Sequence, residues 1–142
     1  MVIRSAEPGD AVDVAALSGE LGYASSVEDV EKRMDHLLRK PSHGFMVAEV
    51  DGHVVGFITF ENYEIVYHDP GVNVTGLVVK EEFRGRGIGK ALLAEAEAYA
   101  RKSGLAYVRL NSGSQRVEAH RFYRNNGYGH EKDQKRFLKE LG

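Results

Sequence analysis

The sequence predicts an α/β protein: a mixed α+β sheet of about seven strands with four main helices, in one domain spanning residues 1–142. Three observations predict it. The hydrophobic spacing runs strand, two helices, three strands, helix, strand, helix, strand, strand. Residues 72–90 pass from a β-branched run through a glycine-rich turn into an amphipathic helix, the join expected near the middle of such a sheet. Asp51-Gly52 between two apolar runs marks a tight hairpin, which brings antiparallel pairing into the sheet. A chain of 142 residues suffices for one substantial core.

Val2 to Ala6 reads as a first strand, turned by Pro8-Gly9-Asp10 into a helix capped by Asp10, with Val14, Leu17 and Leu21 facing inward. Gly22 closes it. Ser26 caps a second helix carrying Val27, Val30, Met34 and Leu37 at helical intervals, and Pro41 stops that one. Phe45–Val50 and His53–Phe60 form the hairpin. Glu61 to Gly71 reads as a polar, aromatic-bearing connection. The central strand Val72–Val79 and the long helix to about Lys102 follow, with Ile88, Leu92, Ala96 and Tyr99 on one face. Leu105–Leu110 is a strand, and residues 115–126 form a helix closed by Gly127. Two short strands are expected in Tyr128–Leu141.

The turn after Val79 carries the first chemistry. Arg84-Gly85-Arg86-Gly87-Ile88-Gly89-Lys90 opens a helix, so free backbone N–H groups and the positive end of the helix dipole face a ligand. Absent side chains at Gly85, Gly87 and Gly89 admit an anion close to the backbone, and Arg84, Arg86 and Lys90 add charge. A phosphate ligand is expected. The P-loop pattern fails, because Ala91 follows Lys90 and Arg84 stands where its first glycine belongs. The dinucleotide pattern fails at Lys90. Arg-x-x-Gly-x-Gly at Arg84, Gly87 and Gly89 resembles the acetyl-CoA motif of the GNAT superfamily of N-acetyltransferases.

A second pattern supports the same resemblance. Ala119, Tyr123, Gly127 and Tyr128 match Ala-x-x-x-Tyr-x-x-x-Gly-aromatic, about thirty residues on. Ala119-His120-Arg121-Phe122-Tyr123 is similar to small bacterial aminoglycoside-acetyltransferase-like members of the superfamily. The resemblance covers nearly the whole chain and implies a sheet splayed between its fourth and fifth strands. In that splay the pantetheine amides of acetyl-CoA take the place of a strand along Leu77, Val78 and Val79. An N–H of Leu77 or Val78 then polarises the thioester carbonyl. Tyr123 is the implied general acid for the departing thiolate.

The sequence departs from the family pattern in two places. A carboxylate base is common in relatives eleven residues before the glycine motif, where this chain has Asn73, and Thr75 also stands where Glu is frequent. Glu64, His68 and Asp69 acting through a water, or His120, are the remaining base candidates. Arg116 replaces an Asn that touches the pantetheine arm in many relatives, and Asn111 or Ser114 takes that role here.

Composition narrows the rest. There is no Cys, hence no disulfide and no thiolate nucleophile, so direct attack in a ternary complex is expected. The six His show no zinc-ligand spacing, and no metal is expected. No apolar run reaches membrane-span length and no signal-peptide pattern opens the chain, so a cytoplasmic location is expected. Residues 1–79 carry 5 Lys/Arg against 13 Asp/Glu, and residues 80–142 carry 14 against 8. The basic half suits a polyanionic donor. The acidic half suits a cationic small-molecule amine, with Glu20, Glu28, Asp29 and Glu31 as contributors. Basic residues alternate with acids and no aromatic stacking series exists, which argues against nucleic acid. A protein or peptide N-acetyltransferase and a CoA-binding sensor without turnover are the alternatives. A homodimer is common among such small proteins, and the sequence marks no interface.

Overall fold

In the computed structural model, which describes all 142 residues, five strands form one sheet in the order β1-β2-β3-β4-β5. They are β1 (Val2–Ser5), β2 (His43–Val50), β3 (His53–Ile65), β4 (His68–Val79) and β5 (Val108–Leu110). The first four pair antiparallel, and β5 joins β4 in parallel. The helices are α1 (Ala11–Glu20), α2 (Val27–Leu38), α3 (Ile88–Lys102) and α4 (Val117–Asn125). By its internal contacts the chain divides into two units, Met1–Leu110 and Asn111–Gly142.

In the first unit, Val14 and Leu17 of α1 and Val30 and Met34 of α2 bury against Phe45, Val47, Phe57 and Val78 of the sheet. Ile88, Leu92, Leu93, Ala96 and Ala100 are the buried positions of α3, at the expected helical spacing. Ser26 caps α2 as expected, its hydroxyl accepting from the Asp29 N–H at 3.1 Å. Asp10 does not cap α1 through the first-turn amides. Its carboxylate accepts from the Glu7 N–H at 2.8 Å and from both terminal nitrogens of Arg4 at 2.9 Å, tying β1 to the turn before α1. The Asp51-Gly52 turn is confirmed, with φ of 50° and 81° as a type I′ turn requires.

Two expectations fail on strand length. The polar stretch 61–71 is not a loop. β3 runs on to Ile65 and β4 starts at His68, with Tyr63 opposite Gly71 and Ile65 opposite His68. Polar residues sit there because one strand face meets solvent, and Gly71 admits the Tyr107 ring where a Cβ would overlap it. The two C-terminal strands are also not formed. No ladder pairs with any residue of Tyr128–Gly142, and Phe137, Leu138 and Leu141 are exposed. Alternating polarity alone does not make a strand without a partner edge. The Arg124 fork holds Glu131 at 2.7 and 2.8 Å, clipping that segment to α4. The sheet therefore has five strands rather than seven, within the expected fold class. No helix is long and apolar enough to cross a membrane.

Candidate active site

The site is built at the point where β4 loses a neighbour. β3 accompanies β4 as far as the Gly56–Val79 rung. On the other side β5 supplies three rungs only: Val72–Val108, Asn73–Arg109 and Val74–Leu110. From Thr75 to Val79 that edge has no strand beside it. Thr75 is itself an extra residue, because Phe60 faces Val74 while Thr59 faces Gly76.

This bulge decides which amides are presented. Before it, the Val72 N–H donates to the Tyr107 carbonyl at 2.8 Å, toward β5. After it, the Lys80 N–H donates to the Val55 carbonyl at 2.7 Å, toward β3. Backbone groups alternate in direction along an antiparallel strand. Val78 therefore turns its N–H and C=O to β3, whereas Leu77 and Val79 turn theirs to the open side. Arg84 Nε donating to the Val79 carbonyl at 2.9 Å agrees with this. The sequence expectation grouped Leu77, Val78 and Val79 as one edge. The geometry keeps Leu77 and Val79 there and places Val78 in the core, its side chain packed with Phe57 among the buried residues.

The glycine turn follows directly. Gly85 and Gly87 have φ of +77° and +83°, with no heavy atom within 4 Å of a Cβ at either, so backbone conformation rather than space requires glycine. Gly87 is the N-cap of α3, and the Ala91 N–H donates to its carbonyl at 3.0 Å. The N–H groups of Ile88, Gly89 and Lys90 precede that bond and have no intrahelical acceptor. Ile88 anchors this end by its buried side chain, while Arg84, Arg86 and Lys90 are exposed around it. Arg86 lies over the Phe83 ring at 4.9 Å. Glu20, expected to face the acceptor, instead accepts from the Glu81 N–H at 3.1 Å and holds the turn in place. Positive side chains, three free helix amides and an open strand edge are thus consecutive in the chain, and they fit a diphosphate followed by an amide-bearing arm.

In the second unit, Tyr123 of α4 is half-buried, with the rings of Phe122 and Tyr128 edge-on at 5.3 and 6.1 Å. Burial pushes its hydroxyl up from the ordinary tyrosine range, and the nearby Arg116 charge opposes this more weakly. His120 donates from Nε2 to the Gly113 carbonyl at 2.9 Å, which commits that nitrogen to the turn before α4. Asn111 follows β5 directly and is exposed, as is Ser114, while the Ser112 hydroxyl is buried with no hydrogen-bond partner.

Three of the base candidates are not brought to the open edge. Glu64, His68 and Asp69 lie at the far tip of the β3–β4 hairpin, where His68 packs on Tyr107 at 4.7 Å. At the rise of a strand this is about 25–30 Å from Leu77. Sequence reading missed a polar row across the sheet. His43 Nε2 lies 3.8 Å from Glu61, Asn73 Nδ2 donates to Glu61 at 3.2 Å, and Arg109 Nη1 donates to Asn73 Oδ1 at 2.7 Å. The signal was present in Asn73, within the β-branched run Val72–Val79, and in Arg109, the one charged residue of Leu105–Leu110. No three His, Asp or Glu side chains gather as a metal-binding group.

The profile of the Acetyltransferase (GNAT) family matches residues 14–128. The chain belongs to the GNAT acetyltransferase family. It is 34% identical over 131 residues to an uncharacterized N-acetyltransferase of Archaeoglobus fulgidus, covering 87% of this chain and 89% of that one. It is 36% identical over 92 residues to the aminoalkylphosphonate N-acetyltransferase of Salmonella typhimurium, 64% of this chain and 60% of that protein. An aminoglycoside N-acetyltransferase solved in complex with CoA superposes with a TM-score of 0.87 at 17% identity, over 99% of this chain and 95% of that one. This GNAT protein is accordingly an N-acetyltransferase, and its mixed sheet with four helices is the family's fold.

Proposed function

We propose that this GNAT protein transfers the acetyl group of acetyl-CoA to the primary amine of a small acceptor, by direct attack in a ternary complex. The observation that carries this reading is the unpartnered stretch of β4 from Thr75 to Val79, followed at once by the glycine turn. The N–H groups of Ile88, Gly89 and Lys90, with Arg84, Gly85, Arg86 and Gly87 around them, hold the diphosphate. Leu77 and Val79 pair with the pantetheine amides as an added strand would, and Asn111 holds the arm further on. The outward N–H of Leu77 polarises the thioester carbonyl as the amine adds, and the charge on the tetrahedral oxygen strengthens that hydrogen bond.

Tyr123, which occupies the family position for the leaving group, donates its proton to the CoA sulfur. Its raised pKa keeps the hydroxyl protonated at neutral pH, the state a general acid needs. The aminoalkylphosphonate acetyltransferase among the relatives supports a small amine as the acceptor class. Release of CoA thiol from acetyl-CoA across a panel of small amines tests the proposal. Acceptor-dependent release is expected. Binding of acetyl-CoA with no amine raising thiol release above background would contradict it and favour a CoA-binding module.

A further inference from the structure

Resting on that reading of the cleft, we propose that Thr75 orients the acceptor amine through its hydroxyl oxygen, with Thr59 fixing that hydroxyl, and that the amine enters as the free base. Thr75 is the extra residue of the bulge and the first residue of the open edge. Its side chain is exposed, and its Oγ1 donates to Thr59 Oγ1 at 2.7 Å. A hydroxyl has one proton and two lone pairs, so that bond spends the proton and leaves the exposed oxygen as an acceptor. Thr59 is held in turn. It faces Gly76 across the strands, and a Cβ at Gly76 would come within 3.1 Å of its Oγ1, so the missing side chain lets that hydroxyl sit against β4. The same absent Cβ would lie 4.0 Å from Cδ2 of Leu21, the residue that ends α1. Helical cover therefore reaches Gly76, whereas Thr75 just before it is open to solvent.

Leu77 lies two residues on, about 7 Å at the rise of a strand. A thioester carbonyl held by the Leu77 N–H and an amine held by Thr75 each add one hydrogen bond of about 3 Å, so the two positions are spaced for adjacent reactants. The amine donates one N–H to Thr75, and its lone pair forms the N–C bond as the carbonyl pair moves to oxygen. That pair returns as the C–S bond breaks, Tyr123 protonates the sulfur, and the surplus proton on nitrogen leaves to water. Positive charge on the nitrogen strengthens its bond to Thr75 in the transition state. An alcohol takes up no proton at neutral pH, so Thr75 positions the amine without deprotonating it. On the same face of the sheet, Glu61 and Tyr63 of β3, His43 of β2 and Arg109 of β5 are the ionisable groups beyond Thr59. Glu61 accepts from Asn73 Nδ2 at 3.2 Å, with His43 Nε2 3.8 Å away. From α1, Asp13 accepts from the Val54 N–H and Glu20 from the Glu81 N–H, each at 3.1 Å. Each carboxylate is thus bonded elsewhere, and Thr75 bonds to a hydroxyl instead.

The experiment measures kcat/KM against pH for propylamine and for the weaker base propargylamine, in the wild type, Thr75→Val, Thr75→Ser and Thr59→Val. In the wild type the acidic limb is expected to follow the pKa of each amine, moving to lower pH with propargylamine. Thr75→Val keeps the β-branched shape and is expected to lower kcat about tenfold, the effect of one neutral hydrogen bond, with acetyl-CoA affinity and the limb unchanged. Thr75→Ser is expected to recover most of that loss. Thr59→Val is expected to lower kcat alone but to add nothing to Thr75→Val, because the two hydroxyls act as one unit. A limb at the same pH for both amines would overturn the inference and assign the proton to a base on the enzyme. Wild-type turnover by Thr75→Val would overturn it as well. No acceptor-dependent thiol release with any amine, despite acetyl-CoA binding, would instead overturn the reading on which it rests.

Discussion

Tyr123 carries the proposed general-acid role. A CoA thiolate is a moderately good leaving group, so its protonation is worth on the order of 10²-fold. Tyr123→Phe is expected to lower kcat by about that factor with the KM for acetyl-CoA unchanged, which steady-state kinetics checks. A general acid loses activity as pH rises through its pKa. Because burial raises that of Tyr123, the wild type should show no loss from this group between pH 7 and about 10. Gly87 carries a different constraint. Gly87→Ala meets no neighbouring atom, but its φ of +83° costs an L-residue about 1 kcal/mol, visible in chemical denaturation, and weakens acetyl-CoA binding as the turn relaxes. Asp10 matters for stability alone. The Arg4 fork holds its carboxyl below the usual range, outweighing burial, which acts in the opposite direction. A group depressed in the folded state contributes stability above its unfolded pKa and loses it as pH falls through the folded value. Asp10→Asn should therefore cost about 2 kcal/mol at pH 7, and the gap from wild type should narrow below about pH 4.

The elements were legible in the sequence wherever hydrophobic period and a local signal agreed. Ser26 before Val27, Asp51-Gly52 between apolar runs and the Ile88–Ala96 spacing all fix elements that the structure contains. What was not legible is what depends on a partner. Residues 61–71 look like a loop because polar side chains cover an exposed strand face, and only the pairing with β3 makes them a strand. Tyr128–Leu141 looks like two strands, yet no edge receives them. The bulge at Thr75 is the subtlest case. Nothing in Val-Thr-Gly-Leu marks an extra residue, and it exchanges the outward amides from Val72 to Leu77 and Val79. For the same reason Val78 could not be separated from its neighbours by sequence alone.

Across the whole chain, the glycine turn was legible from motif spacing and the polar row across the sheet was not. The glycine turn is contiguous, so spacing alone locates it. Glu61, Asn73 and Arg109 come from three strands and meet only once the sheet forms. The charge asymmetry acts at longer range. Arg84, Arg86 and Lys90 are exposed, so acetyl-CoA affinity should fall several-fold as ionic strength rises from about 0.05 to 0.5 M, measurable by calorimetry. The open edge itself is best tested by residue-resolved amide hydrogen exchange with and without acetyl-CoA. Leu77 and Val79 are expected to exchange fast in the free protein and become protected on binding, with Val78 protected throughout. Unchanged exchange at Leu77 and Val79 in the saturated complex would contradict an added-strand mode of binding.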